Sequence, residues 1–279
     1  TEVSVGRVNL GFLNRIIIDD FSMLDQKGKP MMKASRLSVN VNPLYLAEGK
    51  IVISAAQVFG LDARLYQETA STKPNYQFVV DSLSNGNGSS SRLDLRINSF
   101  IVRNGSLSYD RHFVAPTPSR FNPSHISISK FSTNITVRRI TEKSLDIAVK
   151  KLSFNEKSGF KLTGLSFALT ADKSRAQLKN FSLLLPGSHL QIPSISATYS
   201  ISADGKFIPT SLNARGNISG SSIMLSDLSP FVPQLHTAAV PLNLTISFAC
   251  SNGQLSVKSL NLRSADRSIR LSAKGTVYP

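Results

Sequence analysis

The run Ser35-Arg36-Leu37-Ser38-Val39-Asn40-Val41-Asn42 returns 56 positions later as Ser91-Arg92-Leu93-Asp94-Leu95-Arg96-Ile97-Asn98. In both copies apolar and polar side chains alternate, which sends them to opposite faces of an extended strand and leaves no helical stripe. Each copy is followed at the same offset by a glycine and a second alternating run, Gly49-Lys50-Ile51-Val52-Ile53 and Gly105-Ser106-Leu107-Ser108-Tyr109. Looser echoes stand at 145–149 with 159–162 and at 242–246 with 252–255. A strand, turn, strand unit repeated in a chain poor in helical pattern predicts an all-β fold. The expected form is an elongated, curved, mainly antiparallel meandering sheet with one or two short helical turns.

Strands are expected near 3–10, 13–18, 33–41, 50–58 and 61–67, and again at 75–83, where Asn75 to Leu83 alternates. Asp25 to Pro30 reads as a hairpin connection with Gly28 free to take positive φ. Asn42 before Pro43 opens a short helical turn reaching about residue 48. The stretches 84–91 and 112–123, the second with Pro116, Pro118 and Pro123, break the alternation and mark soft boundaries. From Ile126 to Ala203 the alternation is nearly continuous, as in a long meander. Ser226 to Leu235 reads as a short helix, capped by Ser and Asp and limited by Pro230 and Pro233, serving as lid, plug or plain connector. Strands follow at 240–249, 254–262 and 268–277. The alternating pattern is already running at Val3 and still running at Val277, so 1–279 reads as a single elongated β-repeat segment of a longer protein.

A hydrophobic content of 41% suffices for a core. The formal charge is +15 and the pI about 10.1, but the cations stand singly at polar strand positions, as at Lys130, Arg138, Lys150, Lys161, Lys179, Lys258 and Arg270. Such a face is either merely solvated and resistant to edge pairing, or attracted to phospholipid or lipopolysaccharide headgroups. No recognition helix, aromatic RNA-binding signature or zinc-finger spacing supports a nucleic-acid partner. Cys250 is the one cysteine, so no intrachain disulfide forms. Six Asn-x-Ser/Thr triplets, at Asn87, Asn104, Asn134, Asn180, Asn217 and Asn243, are what a Ser- and Asn-rich chain produces by chance.

Chemistry-bearing constellations are missing from the sequence. His112, His125, His189 and His236 are dispersed, with no metal-ligand spacing. Cys250, beside Phe248 and Ala249, reads as a small buried side chain. Asp19 and Asp20 are adjacent, point to opposite faces of a strand, and are expected to end it at a turn. Phosphate loops and nucleophile elbows are absent. The expectation is a protein that is not an enzyme and holds no cofactor or metal.

One ordered set of segments carries a resemblance. Arg15 to Gly28, Ala34 to Val41, Leu46 to Ile53, Gly60 to Tyr66, Asn75 to Leu83 and Ile101 to Tyr109 stand in sequence, with Leu225 to Phe231 before Pro241 to Leu244. Together they resemble the TamB/AsmA-like envelope proteins, in the form found in the Bacteroidota. The resemblance implies a periplasmic segment of a protein anchored in the inner membrane, with a long taco- or groove-like sheet whose apolar groove carries phospholipid toward the outer membrane. It also implies an outer-membrane barrel partner, reached through regions outside this chain.

Exposing a 16-carbon acyl chain costs about 0.8 kcal/mol per methylene, more than about 10 kcal/mol in all, so an apolar trough lowers the barrier without any catalytic group. The groove candidates are Leu37, Val39, Val41, Ile51, Ile53, Leu93, Leu95, Ile97, Leu107, Ile126 and Ile128. The same residues would equally fill a closed core in a surface or periplasmic β-sandwich or β-helix interaction module. A carbohydrate-active enzyme is the remaining alternative, and the absence of Trp and the 17 acidic residues weigh against it.

Overall fold

Strand follows strand through 69% of the described residues, and 6% is helical. The computed structural model describes residues 2–12, 14–42, 51–85, 93–141, 144–202, 204 and 206–277; for 51–52, 82–85 and 93–97 it describes the backbone alone. The expected helical turn after Asn42 lies outside the described residues.

Among the described residues sixteen strands form one sheet. β1 (Val3–Ser4) and β2 (Arg7–Gly11) both pair with β3 (Arg15–Leu24). Then come β4 (Pro30–Val41), β5 (Ile51–Phe59), β6 (Asp62–Gln67), β7 (Leu93–Arg111), β8 (His125–Thr141) and β9 (Ser144–Glu156). The remainder are β10 (Lys161–Asp172), β11 (Arg175–Leu184), β12 (His189–Ile201), β13 (Phe207–Met224), β14 (Pro241–Ser251), β15 (Gln254–Ser264) and β16 (Arg270–Val277). From β8 onward each strand lies beside its successor, as the meander requires.

Two compact units divide the chain, 1–135 with 153–160 and 136–152 with 161–279; the stretch 112–123 lies inside the first.

Two expectations fail in the first unit. The residues read as a strand at 75–83 form instead α1 (Gln77–Asn85), the one α-helix among the described residues. The reason is topological. β7 runs parallel to β5 and β6, starting beside Ile51 and ending beside Gln67, so the chain must travel back the full strand length after β6. Parallel neighbours need such a crossover, and a helix satisfies its own backbone on the way. Gln77 Nε2 donates to Asp81 Oδ1 at 2.9 Å, a contact that helical spacing permits and strand alternation does not.

The second copy of the repeated module also lacks the predicted turn, because Gly105 lies within β7, one unbroken strand of 19 residues. β5 and β6 behave as a single strand kinked at Gly60-Leu61. The pairs Phe59 with Arg103 and Asp62 with Ser106 stay in step on one side, as do Arg36 with Phe59 and Lys33 with Asp62 on the other.

The kink belongs to a row. Asp20 (φ 55°), Gly60 (φ 59°) and Asn104 (φ 53°) are left-handed, and the register aligns them with Ser35 across β3, β4, β5–β6 and β7. Asp19-Asp20 therefore does not end a strand; it interrupts β3, which continues to Leu24. Lys130 (φ 53°) repeats the feature in β8. In the second unit it recurs at Asn180 and Gly220, with register slips near Lys258.

A left-handed residue at this point shifts the alternation by one, and in the first unit the pairing on either side stays in register. Apolar residues three apart then share a face, as Ala34 and Leu37, Val58 and Leu61, or Ile192 and Ile195 do, each pair meeting in one cluster. The core sits along this row. Val102 and Ala34, 1% and 2% exposed, are its centre in the first unit. Ile192, Ile218 and Leu244 form it in the second.

The hairpin at Asp25 forms as expected, with Gly28 at φ 74°, and the C-terminal strands match their predicted spans within a few residues. The predicted helix at 226–235 appears as two 3₁₀ turns, Leu225–Leu228 and Pro233–Thr237, without side-chain caps. Asp227 turns away and accepts from Gly187 N at 3.0 Å and Ser188 Oγ at 2.6 Å, fastening this excursion to the β11–β12 turn.

Candidate functional site

The register sorts the side chains into rows. In the second unit one face carries Leu169, Leu178, Ile195, Gly216, Phe248, Val257 and Gly275 in a line across β10 to β16. A parallel line holds Ala171, Ala176, Ala197, Ala214, Cys250, Leu255 and Val277. Phe167 and Phe181 stack with centroids 6.4 Å apart within the same face. Gly216 is required there, because a Cβ would stand 2.5 Å from Phe248 Cζ. The opposite face reads Thr170, Gln177, Ser196, Arg215, Ala249, Ser256 and Thr276 in one line.

The first unit repeats the arrangement. Val8, Ile18, Leu37, Val58 and Val102 form one apolar row, and Leu10, Ile16, Val39, Ala56 and Phe100 the next. On the other face Asp19 and Arg36 pair at 2.7 Å.

Each groove candidate can now be placed. Leu37, Val39 and Val41 share the face with Ile53, which pairs with Val41. Leu107 joins them through Ala63, itself opposite Met32. Ile126 and Ile128 precede left-handed Lys130, after which Phe131 packs on the Val102 cluster with the same three-residue step. For Ile51, Leu93, Leu95 and Ile97 the side chains lie outside the described residues; their backbones pair as Ile51 with Leu93 and Ile53 with Leu95, and Ile97 falls in the register shift before Ser99. Val41 is buried, while Leu37, Val39, Ile53, Leu107, Ile126 and Ile128 are half-buried.

Most of the described candidates are thus only half-buried. No second sheet packs on the apolar rows among the described residues, and Leu10 and Phe12 are 88% and 86% exposed.

The apolar rows of the second unit were not among the candidates, and the row of bends was not foreseen. A sequence signal for both exists: apolar, two polar, apolar, as in Ile18-Asp-Asp-Phe21, Ile128-Ser-Lys-Phe131, Leu178-Lys-Asn-Phe181 and Val257-Lys-Ser-Leu260. Each marks where alternation slips.

The polar candidates have structural duties. His125 holds the 112–124 loop, with Nε2 2.7 Å from Val114 O and Nδ1 3.2 Å from Asp110 Oδ1. Cys250 is buried against Leu212 O, matching its reading as a small core side chain. Asp25, 2% exposed, accepts from Lys27 N at 2.8 Å, Lys29 N at 2.9 Å and Tyr66 Oη at 2.6 Å. Burial pushes its carboxyl up, but the Tyr66 hydroxyl and the Lys29 and Lys27 amides outweigh that and hold it below the usual range. A cavity of about 240 Å³ beside it, lined by Asp25, Tyr66, Glu68, Asn75, Phe78 and Asp81, adjoins α1. No group of three or more metal-ligating side chains converges among the described residues, and no described helix is long and apolar enough to cross a membrane.

No protein-family model matches the chain, and no curated protein matches it.

Proposed function

We propose that this chain is a lipid-conduit segment of the cell envelope, its apolar face shielding phospholipid acyl chains between inner and outer membranes in the manner of the TamB/AsmA-like proteins it resembles. The reading makes it a binding scaffold and not an enzyme, located in the periplasm. It has the full-length protein anchored in the inner membrane and meeting an outer-membrane barrel through other regions.

One observation supports it most: apolar rows that continue across seven adjacent strands of the second unit with no second layer over them among the described residues. An acyl chain laid on such rows regains about 0.8 kcal/mol per methylene removed from water, with no need for chemistry. The uncovered face otherwise exposes apolar area of the kind that marks an interaction surface.

The test is extraction of the protein purified in mild detergent or none, with mass spectrometry of the organic phase. Stoichiometric diacyl lipid is the expected result. A lipid-free protein whose apolar face also fails to take up a lipophilic fluorophore would sink the proposal.

A further inference from the structure

Independently of the apolar face, we infer that the polar face of the second unit docks on anionic phosphate headgroups at a membrane surface. On β11, β13, β15 and β16 it presents Lys179, Arg215, Lys258, Arg263, Arg270 and Lys274. None of the six is in an ion pair among the described residues.

The described carboxylates of this unit are all committed elsewhere. Asp146 meets Arg138 at 3.4 Å and Asp204 meets Lys206 at 3.0 Å. Asp172 accepts from Ser174 N and Arg175 N at 2.7 and 2.8 Å, Asp266 accepts from Ser268 N at 3.1 Å, and Asp227 holds Gly187 and Ser188. Four of these five acids secure turns and the fifth, Asp146, is paired across β8 and β9, so β11, β13, β15 and β16 carry cations alone.

Two arrangements go beyond a solvated face. Arg263 lies directly opposite Arg270 in the β15–β16 ladder, with Asn243 on its other flank. Like charges in that position destabilise a sheet unless something anionic sits between them. Arg215 and Lys258 line a groove of about 850 Å³ together with Ser196, Thr198, Asn213 and Ser247, and no carboxylate lines it. The two cations stand two strands apart, about 10 Å, within reach of one headgroup for side chains of this length. Phe248, the one aromatic residue at this groove, belongs to the apolar face, so this groove offers nothing on its polar side on which a nucleobase would stack. Spread cations without stacking groups suit a plane of lipid phosphates.

The experiment is vesicle flotation with phosphatidylcholine alone and with added phosphatidylglycerol, at low and high salt. Binding is expected only with the anionic lipid and is lost at high salt. Arg263→Gln with Arg270→Gln should lower partitioning about 25-fold, near fivefold per charge, and Arg215→Gln with Lys258→Gln should do the same. Arg263→Lys with Arg270→Lys keeps the charge and should keep the binding, which separates a lost surface from a lost fold. Arg64→Gln, in the ion-paired first unit, should change little.

Equal partitioning onto pure phosphatidylcholine, or Gln pairs that bind like the parent, would each overturn the assignment. Copurified acyl lipid reads the other face, so failure of the conduit proposal and failure of this one are told apart.

Discussion

Asp25 and Tyr66 show what single side chains contribute here. Tyr66→Phe leaves a buried carboxylate short of one partner, and the expected loss is about 1–3 kcal/mol in urea unfolding. The pH dependence follows from the two shifts. Asp25 is lowered in the folded state, so its contribution is complete above the unfolded carboxylate value and disappears as pH falls through the lower folded value. Tyr66 is raised by burial and then by its bond to the Asp25 carboxylate. Its contribution is complete below the unfolded phenol value and is lost as pH rises through the higher folded one. Titrating stability by fluorescence should show both limbs in the parent. In Tyr66→Phe the acid limb should shrink and the alkaline limb vanish, and unchanged limbs would exclude this account. The hairpin role of Asp25 was legible because an Asx residue before Gly28 is local information. Its anchoring role was not, because Tyr66 is 41 residues away.

At the scale of elements the bend decides most of what was misread. Alternation located the strands of both units and the C-terminal hairpins, since period two is a local property. It said nothing of the left-handed residues, which are Asp, Gly, Asn and Lys in different strands. It also misassigned α1, where Tyr76, Phe78 and Val80 alternate but the parallel pairing of β7 demands a crossover. The bend itself can be probed at Gly60. Gly60→Ala places a Cβ 2.6 Å from Ser35 Oγ at a left-handed φ. The backbone conformation alone costs roughly 1–2 kcal/mol, and the denaturation midpoint should fall accordingly. Gly216→Val addresses the apolar face instead. Its Cβ meets Phe248 and Ile195, and overpacking of this kind costs about 1–3 kcal/mol. If either substitution is neutral, the close approach at that position is not a constraint.

At the scale of the whole molecule, phase alone places Leu37, Val39, Val41, Ile53 and Leu107 on one apolar face of the first unit, as the register has them. The apolar rows of the second unit depended on phase slips that local reading passes over. Whether the face is a site or a core turns on what its residues lose when charged. Val39 is half-buried between Ile16 and Ala56, and Val257 pairs with Phe248 and Gly275. In a closed core Val39→Asp would strand a carboxylate and unfold the domain, since an unpaired buried charge costs several kcal/mol. On an open face the carboxylate stays hydrated when no lipid is bound, and the penalty falls on the acyl chain that would otherwise cover it. Val39→Asp and Val257→Asp are therefore expected to keep the cooperative melt within a few degrees of the parent while copurified lipid drops several-fold. A loss of the melt in both variants would make the rows an ordinary core, whereas a retained melt with undiminished lipid would move the lipid to another part of the sheet.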